Sequence, residues 1–158
     1  MNLHTGLPNK ARDGVVRILN TLLADEFVLY TRTRNYHWNV VGPRFHDLHK
    51  FFEEQYEALD EVIDEVAERV RAVGGRSAGT LHEFSKLTRL KEDAPTDTPD
   101  AQTMVANLLS DHEAIARSLR KDLEKAAELG DAGTSDFLTG LLEAHEKTAW
   151  MLRSTLEK

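Results

Sequence analysis

The sequence predicts an all-α fold: four long helices in a bundle, with a long connection between the second and third that carries a short helix. Three observations predict it. Apolar residues recur at steps of three, four and seven along four long stretches, which gives each helix one buried face. Helix-breaking residues gather at the joints, at Gly42-Pro43, Gly74-Gly75, Pro99 and Gly130. The stretch from Gly74 to Thr98 is too long for a tight turn, so the bundle has a crossover topology.

The elements follow in order. Residues 1–8 form a short arm ahead of a single domain spanning 1–158. Asn9 is placed to cap the first helix, which runs to about Tyr36 and buries Val15, Leu19, Leu22 and Leu23. Asp25 and Glu26 on it suit salt bridges or solvent better than metal. The second helix runs from Pro43, in its first turn, to Val73, with Leu48, Phe52, Leu59, Val66 and Val70 on one face. Thr80 and Glu83 form a capping box for a short helix over Leu81–Arg89. Lys91–Asp97 reads as a polar turn, and Thr98-Pro99 as the start of a third helix that ends before Gly130. Asp111, His112 and Glu113 on that helix favour inter-helix hydrogen bonding over a metal cluster. Thr134 or Ser135 caps the fourth helix, which reaches Leu156; His145 on its apolar face suits a buried hydrogen bond.

Composition narrows the function classes. Hydrophobic residues make up 41% and charged residues 30%, a balance typical of a soluble helical domain. No apolar run approaches membrane-spanning length, and the first residues lack a basic-then-apolar signal pattern, so a cytoplasmic protein without a membrane partner is expected. There is no cysteine, which excludes disulfides and thiol redox chemistry.

The stretch from Tyr36 to Gly75 carries the chemistry. At 100° per residue, His49, Glu53, Asp64 and Glu68 fall in one sector of the second helix, beside its core stripe. Fifteen residues separate His49 from Asp64, or about 22 Å at 1.5 Å per residue. Metal–ligand bonds are about 2.0–2.2 Å, so one chain cannot place both side chains on one ion. A second copy, packed antiparallel about a two-fold axis near Glu57-Ala58, can complete the set, and symmetry then makes two identical sites. His37 can fold back towards His49 across the turn at Gly42-Pro43. Imidazoles with carboxylates suit Fe(II) or Zn(II).

The pattern His37-Trp38-Asn39, Gly42, Phe45, His49, Glu53, Asp64 and Ala67-Glu68-Arg69 resembles the signature of the Dps family, the mini-ferritins. The resemblance extends over nearly the whole chain. It implies a ferritin-like homo-oligomer, a shell of twelve subunits, with a ferroxidase centre at each two-fold interface. His37 and His49 would come from one subunit, Asp64 and Glu68 from its neighbour, and Glu53 would serve the second of two iron positions. The implied substrate is iron, taken from Fe(II) to Fe(III), with Zn(II) as a competing ion. Hydrogen peroxide is the expected oxidant in preference to dioxygen. The implied role is iron storage with protection against oxidative stress.

Further residues take roles from the same resemblance. Trp38 is either core packing or an acceptor of oxidising equivalents beside the site. Asp131 and Asp136 would line a three-fold pore, or else act as a turn residue and a first-turn carboxylate favoured by the helix dipole. Glu54 and Glu57 would nucleate mineral. The other reading is a nucleoid-coating protein. The termini lack lysine-rich tails, and a net charge of −7 per chain, on the order of −80 for twelve copies, repels phosphate, which argues against DNA binding. No Glu stands three positions before a His, the spacing that di-iron ferritins use inside one bundle, and this also favours the shared site.

Overall fold

The structure, a computed structural model, describes residues 4–92 and 98–157. Four long helices, α1 (Asn9–Asn39), α2 (Phe45–Ala72), α4 (Ala101–Glu128) and α5 (Ala132–Leu156), form the bundle, and α3 (Leu81–Leu87) lies in the crossover. α1 packs along α2, α4 packs along α5, and α1 also touches α3 and α4. Leu19, Leu22, Phe52, Val66, Leu119 and Leu138 seal the core between these pairs. The all-α crossover bundle is the one the periodicity predicts. No helix among the described residues is long and apolar enough to cross a membrane.

The helix ends differ from expectation, and each difference has a local cause. Asn9 is the first residue of α1 rather than its cap. Pro8 holds the cap position in an extended conformation, and its carbonyl accepts the first helical bond from Arg12 N–H. α1 also runs one turn beyond Tyr36, because nothing breaks it until Gly42, whose φ of 110° suits glycine. Pro43 lies outside α2. It occupies the second position of a turn closed by Phe45 N–H to Gly42 C=O, where its fixed φ is an advantage.

Carboxylates displace the expected hydroxyl caps. Asp100, not Thr98, caps α4 by accepting from Thr103 N–H at 2.8 Å. Asp131, not Thr134 or Ser135, caps α5 by accepting from Thr134 N–H at 3.0 Å. A negative acceptor at the positive end of a helix is the stronger partner. The turn expected over Lys91–Asp97 lies largely outside the described residues.

α3 ends at Leu87, short of Arg89, because Asp25 of α1 draws the chain away. This buried carboxylate accepts from Thr88 Oγ1, Arg89 N–H and Arg89 Nε at 2.9, 2.6 and 2.7 Å. The salt bridge expected of Asp25 is therefore present, and it anchors the crossover. Phe84 secures the other face of α3 by stacking on Phe27, with ring centroids 4.5 Å apart.

The Thr80–Glu83 capping box is present. Arg76 first, then Gly79 N–H and Thr80, hold the Glu83 carboxyl at about 2, below its ordinary 4.5. A lowered carboxyl pKa stabilises the fold above the ordinary value, and that stability is lost as the pH falls through the folded one. The box is therefore expected to stay intact down to pH 4.5 and to open as the pH approaches about 2. Thr80→Ala should cost about 1 kcal/mol locally, a roughly five-fold loss of amide-exchange protection in α3, with α1 and α5 unaffected. Hydrogen exchange read helix by helix checks both expectations.

Candidate metal centre

His37 lies in the last turns of α1 and His49 in the second turn of α2, so the Gly42-Pro43 turn folds one onto the other. Their rings stack with centroids 3.8 Å apart and 19° between planes. Each ring binds the other's backbone: His37 Nδ1–H donates to His49 C=O, and His49 Nδ1–H to His37 C=O, both at 2.8 Å. A carbonyl only accepts, so both Nδ1 atoms carry protons. Both Nε2 atoms of the neutral rings then present lone pairs, the form in which imidazole ligates metal. Tyr56 packs edge-on against His37, and Phe45 stacks on His49. The pair is thus fixed in tautomer and in orientation by this chain alone.

Glu53 sits one turn beyond His49. Its carboxyl lies below its ordinary value, first through the Lys50 ammonium bonded to it and to a lesser degree through His37 and His49. Asp64 and Glu68 are exposed further along α2, as are Glu54 and Glu57. α2 is unbroken from Phe45 to Ala72, so the separation of about 22 Å between His49 and Asp64 stands. Among the described residues, no three His, Asp or Glu side chains gather into a metal cage. One chain brings His37 and His49 together, with Glu53 close enough to feel both imidazoles, and leaves Asp64 and Glu68 further along α2.

Trp38 does not pack in the core; it is 65% exposed. Tyr36 continues the buried face of Leu29 and Thr33, and because α1 runs on to Asn39, Trp38 lies about 200° further round the helix. The Arg34 guanidinium sits over the Trp38 ring at 5.4 Å and over Tyr56 at 4.4 Å. This links the indole to the wall of the histidine pair.

The two acidic residues near the α4–α5 turn differ in kind. Asp131 is buried, caps α5, accepts from Thr134 Oγ1 at 2.6 Å and pairs with Arg69 at 3.1 Å. Asp136 is exposed in the second turn of α5, because the helix begins at Ala132, so it is not the first-turn carboxylate expected from the sequence.

A second polar group was not foreseen as a unit. Glu26, His112 and His145 are buried and joined: His145 Nε2 meets Glu26 Oε1 at 2.8 Å, and His145 Nδ1 meets His112 Nδ1 at 2.9 Å. Burial first, then His145, push His112 well below the ordinary imidazole range. The hydrogen-bonding roles expected of His112 and His145 hold, and Glu26 pairs with the buried His145 imidazole instead of facing solvent. Asp111 and Glu113 bond to Arg32 and Arg153. Gln55 of α2 is also buried. Its position between Phe52 and Leu59, a polar residue on the apolar stripe, was the signal available in the sequence.

Comparisons with known proteins agree with this architecture. The family model for a ferritin-like domain matches residues 16–158. DNA protection during starvation protein 2 of Bacillus anthracis is 40% identical over 144 residues, which cover 91% of this chain and 97% of that protein. A low temperature-induced protein of Nostoc sp. is 50% identical over 156 residues, covering 98% of this chain and 87% of that one. Among solved structures, Dps of Vibrio cholerae O1 superposes with a TM-score of 0.92 at 35% identity, covering 99% of this chain and 97% of that one. That protein is described as a member of a broad superfamily of ferritin-like diiron-carboxylate proteins. Dps of Thermosynechococcus elongatus superposes at 0.90 with 32% identity, covering 94% of each chain.

Asp131 and Asp136 should separate in a stability measurement. Asp131→Ala removes a cap and a salt bridge and is expected to cost about 1–2 kcal/mol. Asp136→Ala should fall within about 0.5 kcal/mol of wild type. Urea unfolding at fixed protein concentration reads both.

Proposed function

Because the chain belongs to the Dps family of ferritin-like proteins, we propose that it is a mini-ferritin that oxidises Fe(II) at sites shared between two-fold-related subunits and stores the Fe(III) as mineral. The observation that carries this reading is the reciprocal bonding of His37 and His49, which readies two imidazole Nε2 atoms with too few neighbouring ligands on the same chain. A partner subunit packed antiparallel along α2 would bring Asp64 and Glu68 to them, and Glu53 would serve a second ion. An isologous interface makes two such sites at once. The assembly is proposed to be a dodecamer.

The chemistry is a two-electron transfer. Two Fe(II) each give one electron to hydrogen peroxide, which takes two protons and leaves as two waters. Pairing the electrons avoids the one-electron cleavage that releases hydroxyl radical. Imidazole nitrogen favours the borderline Fe(II), and carboxylate oxygen favours the harder Fe(III). A mixed donor set therefore both captures the ion and releases it towards oxygen-rich surfaces. Zn(II), which takes the same donors, would compete. Glu54 and Glu57, exposed on α2, would nucleate mineral. Asp136, exposed and without a capping role, is the better pore candidate than Asp131. Trp38, next in sequence to His37, would intercept a stray oxidising equivalent.

The test is complementation between two inactive variants. His49→Ala and Asp64→Ala should each lower peroxide-driven Fe(II) oxidation by about ten-fold or more. In a mixed dimer, one site combines the intact His49 of one subunit with the intact Asp64 of the other. Random co-assembly at equal amounts should restore about one quarter of the wild-type sites. Oxidation followed by absorbance reads the recovery. Two variants that stay inactive after co-refolding would mean that the sites are not shared.

A further inference from the structure

The buried group in the middle of the bundle is not used by the shared site. It draws one residue from each long helix: Glu26 of α1, Gln55 of α2, His112 of α4 and His145 of α5. None is more than 5% exposed. Four of its polar atoms have no hydrogen-bond partner: Glu26 Oε2, Gln55 Oε1, Gln55 Nε2 and His112 Nε2. Buried polar groups without partners destabilise a fold, so a cluster of them calls for an occupant. A narrow cleft of about 60 Å³ adjoins them, lined by Gln55, His112 and His145 together with Ala58, Ala144 and Thr148. Ala58 and Ala144 are exposed in the single chain, so the cleft opens between α2 and α5, with Ala58 at the two-fold contact proposed above.

Proton placement determines what the cleft presents. The Glu26 carboxylate accepts, so His145 donates from Nε2. The Nδ1 of a neutral His145 then accepts, and His112 must donate from Nδ1. That leaves a lone pair on His112 Nε2. A carboxylate behind an imidazole is the usual support of a histidine metal ligand, since it fixes the tautomer and raises the basicity of the ring. Here the support runs through a second imidazole. Beside it, the Gln55 amide oxygen is a free acceptor.

We infer that this cleft is an intrasubunit site for one divalent transition-metal ion, held by His112 Nε2 and Gln55 Oε1 with water filling the remaining positions. One imidazole and one amide oxygen suit Fe(II), Co(II) or Zn(II) better than Mg(II) or Ca(II), which prefer all-oxygen sites. With two protein ligands the site binds weakly and exchanges its ion. Glu26 and His145 are positioning residues: they act through His112. The inference does not depend on the two-fold site, because all four residues lie in one chain.

The test uses the assembled protein and Co(II) as the probe. Crystals soaked in Co(II) and measured at the cobalt absorption edge should show an anomalous peak between His112 and Gln55, in His49→Ala as well as in wild type. Gln55→Leu should keep its fold, because it removes an unpartnered buried amide, and should weaken Co(II) binding in the cleft by about ten-fold or more. It should leave binding at His49 unchanged. Calorimetric titration of the three proteins then gives independent occupancies for the two places. A water in the cleft at saturating Co(II), with no anomalous signal, overturns the inference. So does a bundle peak whose occupancy is insensitive to Gln55→Leu. Absence of a peak at His49 in wild type would count against the shared site and leave this inference standing.

Discussion

Fifteen residue steps of unbroken helix lead from His49 to Asp64, and a helix does not shorten to suit its ligands. Everything proposed about the centre follows from that spacing. α2 has neither Gly nor Pro from Phe45 to Ala72, and its core face is occupied by Leu48, Phe52, Leu59, Val66 and Val70. Those contacts hold it straight. A kink that brought the carboxylates back to the histidines would break backbone bonds and unpack the core, at a cost of about 3 kcal/mol or more. Association would be the less costly route to a complete ligand set, and under the proposal above it ties the chemistry to the assembled state.

The histidine pair shows how one turn serves both fold and site. Gly42 adopts a φ of 110°, Pro43 fills the next turn position, and the chain reverses tightly enough for two imidazoles to stack. The carbonyl of His37 belongs to the last turn of α1, where carbonyls lack helical partners. His49 supplies a donor to it, and so finishes the helix end and sets its own tautomer in one contact. The contact that sets the imidazole tautomer is thus also the one that satisfies the backbone.

The interior of the bundle makes the opposite bargain. Apolar packing at Glu26, Gln55, His112 and His145 would remove every unpartnered atom among them. Buried ionic groups replaced by apolar residues of similar volume often give a more stable protein. Retaining four polar residues from four helices at one level therefore has a stability cost that the fold does not require. An occupant that binds them offsets that cost. The crossover is held differently: the buried carboxylate of Asp25 is fully used by Thr88 and Arg89, and nothing there awaits a ligand.

Sequence alone determined the helical class, the crossover topology, the capping box at Thr80 and Glu83, and the joints at Gly42, Gly74 and Gly130. These depend on local periodicity and on backbone preferences that act within a few residues. It also determined that His49 and Asp64 are too far apart on one helix, since axial distance is a count of residues. Tertiary structure alone decided which acidic side chain caps a helix, because Asp100 and Asp131 compete with nearby hydroxyls through charge and orientation that spacing does not reveal. It decided that Trp38 faces outwards, because one additional turn of α1 keeps residue 38 helical and on the opposite face from the buried Tyr36. It also decided that Glu26, Gln55, His112 and His145 meet: residues on four helices are neighbours only once those helices are packed at one register, and no local pattern encodes that register.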